Sequence, residues 1–310
     1  DQQIPAIRGK VEASMQTRYV TAADEDLNGV QMESIWTLIL TWILPIIIYG
    51  SETWRPKADE WRSLNGLLDN VLKRLLLTPT STPREVLYIE AGMMDVTHMM
   101  MRKQILMMNR LKQKPSELLQ NILTNKDPNS WTTTVEKHIN NLNLNMNAHN
   151  TKANIGPVKR LTREENYKNM CLARTEKSKV EYLLTHRDPK MKNKRSKYLD
   201  CLSRGQASTI FRARTRMMEV KNNYRGKYQD TICRGCGTET ETQEHILNEC
   251  ISLHKDESTK VTINEIFDET KSANELRLIA GKIQSLVKMI NQNDQPNNRN
   301  PINNIRFQRN

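Results

Sequence analysis

Residues 58–77, ADEWRSLNGLLDNVLKRLLL, place apolar side chains at Trp61, Leu64, Leu67, Leu68, Val71, Leu72 and Leu75. Steps of three and four are the period of a helix that buries one face and wets the other. Thr78-Pro79 stops it, because proline lacks an amide hydrogen and disfavours helical backbone just before it. The signal repeats downstream. Thr82 as N-cap, Pro83 at the first helical position and Glu85 predict a capping box, and Ala91-Gly92 a C-terminal cap. A third helix is predicted over Val96–Lys112, where Met99, Met100, Met101, Met107 and Met108 make an adaptable core filling. Pro115 closes the group. Strand signals are few and no internal repeat is visible, so the chain reads as mainly α.

Upstream, IWTLILTWILPIIIY (residues 35–49) is shorter than the roughly 20 residues a membrane span needs, and Pro45 interrupts it. It predicts a buried helix turning into a short strand near Pro45, with Gly50 as its end. Downstream, residues 124–160 are Asn-rich and run through NNLNLNMNAHN, which predicts a linker with at most a short helix from Trp131 to Ile139. Thr162-Arg-Glu-Glu165 is a second capping box, opening a helix to about Leu184. Further helices are predicted over Gln206–Val220 and Glu265–Ile290, with a disordered tail after Ile290.

The chain carries 47 Lys+Arg against 35 Asp+Glu in 310 residues, with a mean hydropathy of −0.69. The excess is concentrated. Residues 161–227 hold 18 basic side chains against 7 acidic, while residues 1–80 and 228–310 are each slightly acidic. A solvated helix face mixes signs, so this block predicts a polyanion partner, nucleic acid above all. An acidic membrane surface would need an amphipathic anchor that is not visible. The candidate contacts are Lys190, Lys192, Lys194, Arg195 and Lys197 in a loop, then Arg204, Arg212, Arg214, Arg216, Arg225 and Lys227. Tyr198, Phe211, Tyr224 and Tyr228 are interleaved with them and offer faces for unpaired bases, although core burial is the better reading of Phe211.

Directly after this block comes CRGCGTETETQEHILNEC (residues 233–250). Cys233, Cys236, His245 and Cys250 are the thiolates and imidazole that a tetrahedral Zn²⁺ prefers, and Gly235 lets the Cys-x-x-Cys pair turn tightly. His254 is a possible substitute ligand. A redox Cys-x-x-Cys would have a strand before it and a helix directly after, and neither pattern is present. Cys171 and Cys201 suggest no disulfide framework, which predicts a reducing, intracellular setting. The start, DQQIPAIRGK, has no initiator Met and no signal peptide, and predicts a piece beginning inside a longer protein.

Three segments together carry a family resemblance. ILPIIIYGSETW (residues 43–54), PREVLYIEAGMMDVTHMMMRKQILMMNRL (residues 83–111) and RGQASTIFRARTRM followed by the Cys-Cys-His-Cys stretch resemble the part of non-LTR retrotransposon (LINE-type) reverse transcriptases that follows the palm. The resemblance spans about residues 35–254. Many relatives have Cys where Ser51 stands. It implies the end of a palm or entry segment over 1–57, a helical thumb-like bundle over 58–123 and the linker over 124–160. A basic nucleic-acid-binding segment would follow over 161–227, a zinc knuckle over 228–256, and a helix with a disordered tail over 257–310. It implies that Arg102, Lys103, Arg110, Lys112 and Lys114 meet phosphates of a template–primer duplex. RNA template, target DNA and the rest of the polyprotein would be the partners, in nucleus and cytoplasm. Zn²⁺ would be structural, and Mg²⁺ would belong only to the palm. No Asp-Asp occurs in the sequence, so this chain alone is expected to be inactive as a polymerase. The alternative is a domesticated, non-enzymatic, zinc-stabilised adaptor for RNA or DNA.

Overall fold

The computed structural model describes residues 3–16, 29–113, 116–124, 127–146, 151–224 and 226–292. Among these the chain is helical, with only isolated bridges between extended residues. The first part comprises α1 (Gln3–Gln16), α2 (Met32–Leu38), α3 (Leu44–Ile48), α4 (Ala58–Leu75), α5 (Arg84–Ala91) and α6 (Val96–Leu111). The periodic residues behave as their spacing requires: Leu64, Leu67, Leu68, Val71, Leu72 and Leu75 of α4 are all buried. Asp95 opens α6 by accepting the His98 amide at 2.9 Å, and Gly92 ends α5 in the left-handed region (φ +59°). Met99, Met100 and Met108 lie in the core.

Two expectations fail here for local reasons. No strand forms near Pro45. A π-helical turn over Ile39–Ile43, in which the Leu44 amide donates to the Ile39 carbonyl, leads straight into α3, and Pro45 sits in the first turn of α3. Thr82 does not cap α5 either. Pro83 is the N-cap, and the buried Thr82 hydroxyl donates instead to the Pro79 carbonyl at 2.6 Å.

α7 (Glu117–Leu123) precedes the Asn-rich region, and the short helix expected within that region forms as α8 (Trp131–Asn141). The correction to the expected linker is that α8 is packed and that α9 (Thr151–Leu172) already starts inside the region. Val135, Ile139, Leu142, Leu144 and Val158 form a second cluster with Ile105 and Met108 of α6. Thr162 lies mid-helix in α9, its hydroxyl donating to the Val158 carbonyl at 2.7 Å, so the second capping box is not used as one.

The chain continues through α10 (Ser178–His186), α11 (Tyr198–Cys201) and α12 (Arg204–Arg214). It ends in α13 (Ile263–Phe267) and α14 (Ala273–Gln292), two helices where one was expected, broken at residues 268–272. One apolar cluster runs from Ile7 through α4, α5, α10 and α12 to Cys233, Cys250 and Ile290. The predicted bundle, basic segment and knuckle therefore share a core. The expected disordered tail falls on residues 293–310, outside the described residues. No helix among the described residues is long and apolar enough to cross a membrane.

Candidate metal centre and basic segment

The Cys233–Cys236 turn is built by short backbone bonds. The Cys233 amide donates to Glu239 O at 2.7 Å, Glu241 N to Thr231 O at 2.7 Å and Gly237 N to Cys233 O at 2.9 Å, with Ile232 and Thr240 bridged across. Gly237 takes φ +72°, a conformation glycine adopts without strain. Gly235 is closely hemmed in: a Cβ there would stand 3.1 Å from Cys250 Sγ and 3.2 Å from Leu253.

His245 and Cys250 reach the same point through an unusual turn. Residues five apart on an α-helix face about 140° apart. His245–Glu249 instead forms a π-helical turn, closed by Cys250 N donating to His245 O at 2.8 Å, and the wider turn brings the first and sixth residues to one side. The ligand atoms of Cys233, Cys236, His245 and Cys250 all lie within 4.8 Å of one another. Cys233 Sγ is 3.8 Å from Cys250 Sγ, and Cys236 Sγ is 3.5 Å from His245 Nε2. These four residues can hold a metal ion. His254 is not brought in: its Nδ1 lies 2.9 Å from the Thr259 hydroxyl and its Nε2 3.0 Å from the Ile246 carbonyl.

The thiols are not equivalent. Burial pushes Cys233 up to about 12 and also raises Cys250. Burial raises Cys236 too, but the Thr238 hydroxyl, the amides of residues 238 and 239 and His245 outweigh it and bring that thiol down to about 6. Three further groups support the centre and carry no local sequence signal. Glu239 places a carboxylate 3.0 Å from His245 Nδ1. Thr238 donates its hydroxyl to Cys236 Sγ at 3.3 Å. Arg234, between the two cysteines, is buried against the fully buried Glu241 at 2.6 Å and donates to the Glu219 carbonyl at 2.9 Å.

The predicted basic contacts separate into two groups. Arg204, Arg212 and Arg214 are corrected from nucleic-acid contacts to structural groups. Arg204 donates to the carbonyls of Leu75 and Arg74 at 3.1 and 2.8 Å, and Arg212 to that of Leu77. With Ser208 on Leu76 O at 2.6 Å, side chains four apart on α12 satisfy the carbonyls left open at the end of α4. Arg214 is 1% exposed and bridges Glu90 of α5 and Glu269, each at 2.8 Å. Arg187 joins the same Glu90, and Tyr198 donates its hydroxyl to it at 2.7 Å. Burial raises Glu90, yet the Arg214 and Arg187 charges outweigh it and hold that carboxyl below its usual range. Tyr198 and Phe211 are buried too, which removes both as base-stacking faces.

The other group stays at the surface. Arg195 pairs with Asp200 and lies over the Trp36 ring. Exposed Arg216, at φ +53°, pairs with Glu244 at 2.8 Å, and exposed Lys227 with Glu219 at 2.7 Å. Lys197 is half-buried, its amide donating to Glu269 at 2.9 Å. Lys190, Lys192 and Lys194 are exposed, and among the described residues none has an ion-pair partner. Of the cations on α6, Lys103 pairs with Glu52 at 3.0 Å, whereas Arg110 and Lys112 are exposed. Arg225 and Lys114 lie outside the described residues. Comparison with protein-family models, curated proteins and solved structures finds no match.

Proposed function

We propose that this chain binds nucleic acid, with a structural zinc ion on Cys233, Cys236, His245 and Cys250, as a C-terminal part of a retrotransposon-encoded RNA-directed DNA polymerase acting in target-primed reverse transcription. The observation that carries nucleic-acid binding is the unpaired Lys190, Lys192 and Lys194 in the most basic stretch of the sequence. Phosphates are the partners that such lysines satisfy, as point charges that position a strand without reading its bases. RNA template, target DNA and the rest of the polyprotein are the partners in this reading, which places the protein in nucleus and cytoplasm.

The zinc assignment is supported by spacing. Bonds of about 2.3 Å to sulfur and 2.0–2.1 Å to nitrogen set tetrahedral edges of about 3.8 Å between sulfurs and about 3.6 Å between sulfur and nitrogen. The distances here are 3.8 and 3.5 Å. Four protein ligands leave no position for substrate, so the ion would hold the knuckle rather than act on anything. Glu239 at Nδ1 of His245 fits the usual partner of a metal-bound imidazole. A zinc-stabilised adaptor without polymerase is the second reading; the sequence holds no Asp-Asp pair, as both readings expect.

Metal analysis of the purified protein should find one zinc per chain, and Cys236→Ser should lose both metal and knuckle order. A Cys236→Ser protein with full metal content would contradict the assignment. Fluorescence anisotropy with single-stranded RNA and duplex DNA should show binding that weakens steeply with salt. An absence of binding to both at low salt overturns the nucleic-acid reading.

A further inference from the structure

The proposed binding gains a location from cations that the basic block alone does not single out. α9 presents Arg163 and, one turn on, Tyr167; Lys192 sits over the Tyr167 ring at 5.8 Å. Arg174 follows in the short turn after α9 and donates to the Thr185 hydroxyl at 3.4 Å. Between them lies Cys171, whose thiol burial raises and the charges of Lys192 and Arg174 pull back. On α6, which packs along α9, Arg102 is lowered by burial and by the charge of Arg163 beside it. Among the described residues, Arg102, Arg163, Arg174 and Lys192 have no ion pair; nearby Glu164 is engaged by Arg160 at 3.2 Å, and Asp188 by the Lys190 amide.

Like charges gathered on one face, none of them in an ion pair among the described residues, repel one another. The geometry points to a face formed by Arg102, Arg163, Tyr167, Arg174 and Lys192 that receives the phosphate backbone of a nucleic-acid strand, an inference that rests on the proposed nucleic-acid binding. Phosphates relieve the mutual repulsion, and Tyr167 holds Lys192 upright beside the strand. The face lies on α6, α9, the short turn after α9 and the 190–194 loop. It would grip any sequence, since each contact is to a charge.

The test is a variant with Arg163→Gln, Arg174→Gln and Lys192→Gln together, compared with the unaltered protein on single-stranded RNA and on duplex DNA over a range of salt. The slope of log affinity against log salt on RNA should fall by about 2, with affinity down at least about tenfold. An unaltered slope in a variant of normal melting temperature overturns this face while leaving nucleic-acid binding intact. Failure of the unaltered protein to bind either nucleic acid overturns both. Lysine acylation supplies a second readout that needs no substitution: bound RNA should protect Lys192, and equal acylation with and without RNA overturns the face.

Discussion

The lysine loop around residues 190–194 and the arginines of α12 lie next to each other in the most basic part of the chain, and they end in opposite environments. Arg204, Arg212 and Arg214 turn inward to carbonyls and carboxylates, whereas Lys190, Lys192 and Lys194 stay in water. The chemistry of the two side chains explains the division. A guanidinium is planar, weakly hydrated and presents several donors in a fixed fork, so it can be buried wherever acceptors are left open. An ammonium is a strongly hydrated point charge, and burying it without a partner is costly. A count of positive charges in a segment therefore overstates how much of it can meet a polyanion. Even so, the loop is not loose where it meets the core: Arg187 donates to Lys194 O at 2.8 Å, and Ser196 N to Glu90 O at 3.0 Å. Its backbone is structural, and among the described residues Lys190, Lys192 and Lys194 have no ion pair.

The largest effect should come from the arginine side. Arg214→Ala leaves Glu90 buried beside one cation instead of two, and should lower stability by about 3–5 kcal/mol in denaturant unfolding. A loss under 1 kcal/mol would place Arg214 outside the structural group. Next comes the joint between the two regions. A Cβ on Gly92 would stand 2.4 Å from the Lys194 carbonyl carbon, on a backbone with φ +59°. Gly92→Ala should cost about 2–4 kcal/mol and displace the loop, read as a lower melting temperature and altered amide exchange at residues 190–196.

Acid should also discriminate. The folded-state value of Glu90 is depressed, so its contribution is present above its unfolded value, about 4.3, and is lost as pH falls through the lower folded value. Glu90→Gln should flatten that acid limb of the stability profile, and a wild-type acid limb in the variant would assign it to other carboxylates. The smallest stability effect belongs to the lysines. Lys190→Gln, Lys192→Gln and Lys194→Gln should each change stability by under about 0.5 kcal/mol, checked by thermal melting.

The same contrast shows what the sequence exposes and what it conceals. α4 was legible because its apolar residues are three and four apart and all face one core. The four metal-site residues were legible because all of them lie within residues 233–250, although the π turn that aligns His245 with Cys250 has no signature of its own. The fate of Arg204, Arg212 and Arg214 was hidden because their partners, Leu75, Leu77 and Glu90, lie more than a hundred residues earlier in the chain. α8 was legible from the helical spacing of Trp131, Val135 and Ile139, but its packing against Ile105 and Met108 was hidden, because those partners lie on another helix.

The most direct measurement is the salt dependence of RNA binding for two variants side by side, one carrying Lys190→Gln, Lys192→Gln and Lys194→Gln, the other Arg204→Gln and Arg212→Gln. Free lysines and committed arginines predict that the slope falls by about 2 in the first and stays at the wild-type value in the second. A fall in the arginine variant with no change in the lysine variant would contradict the division between the two regions.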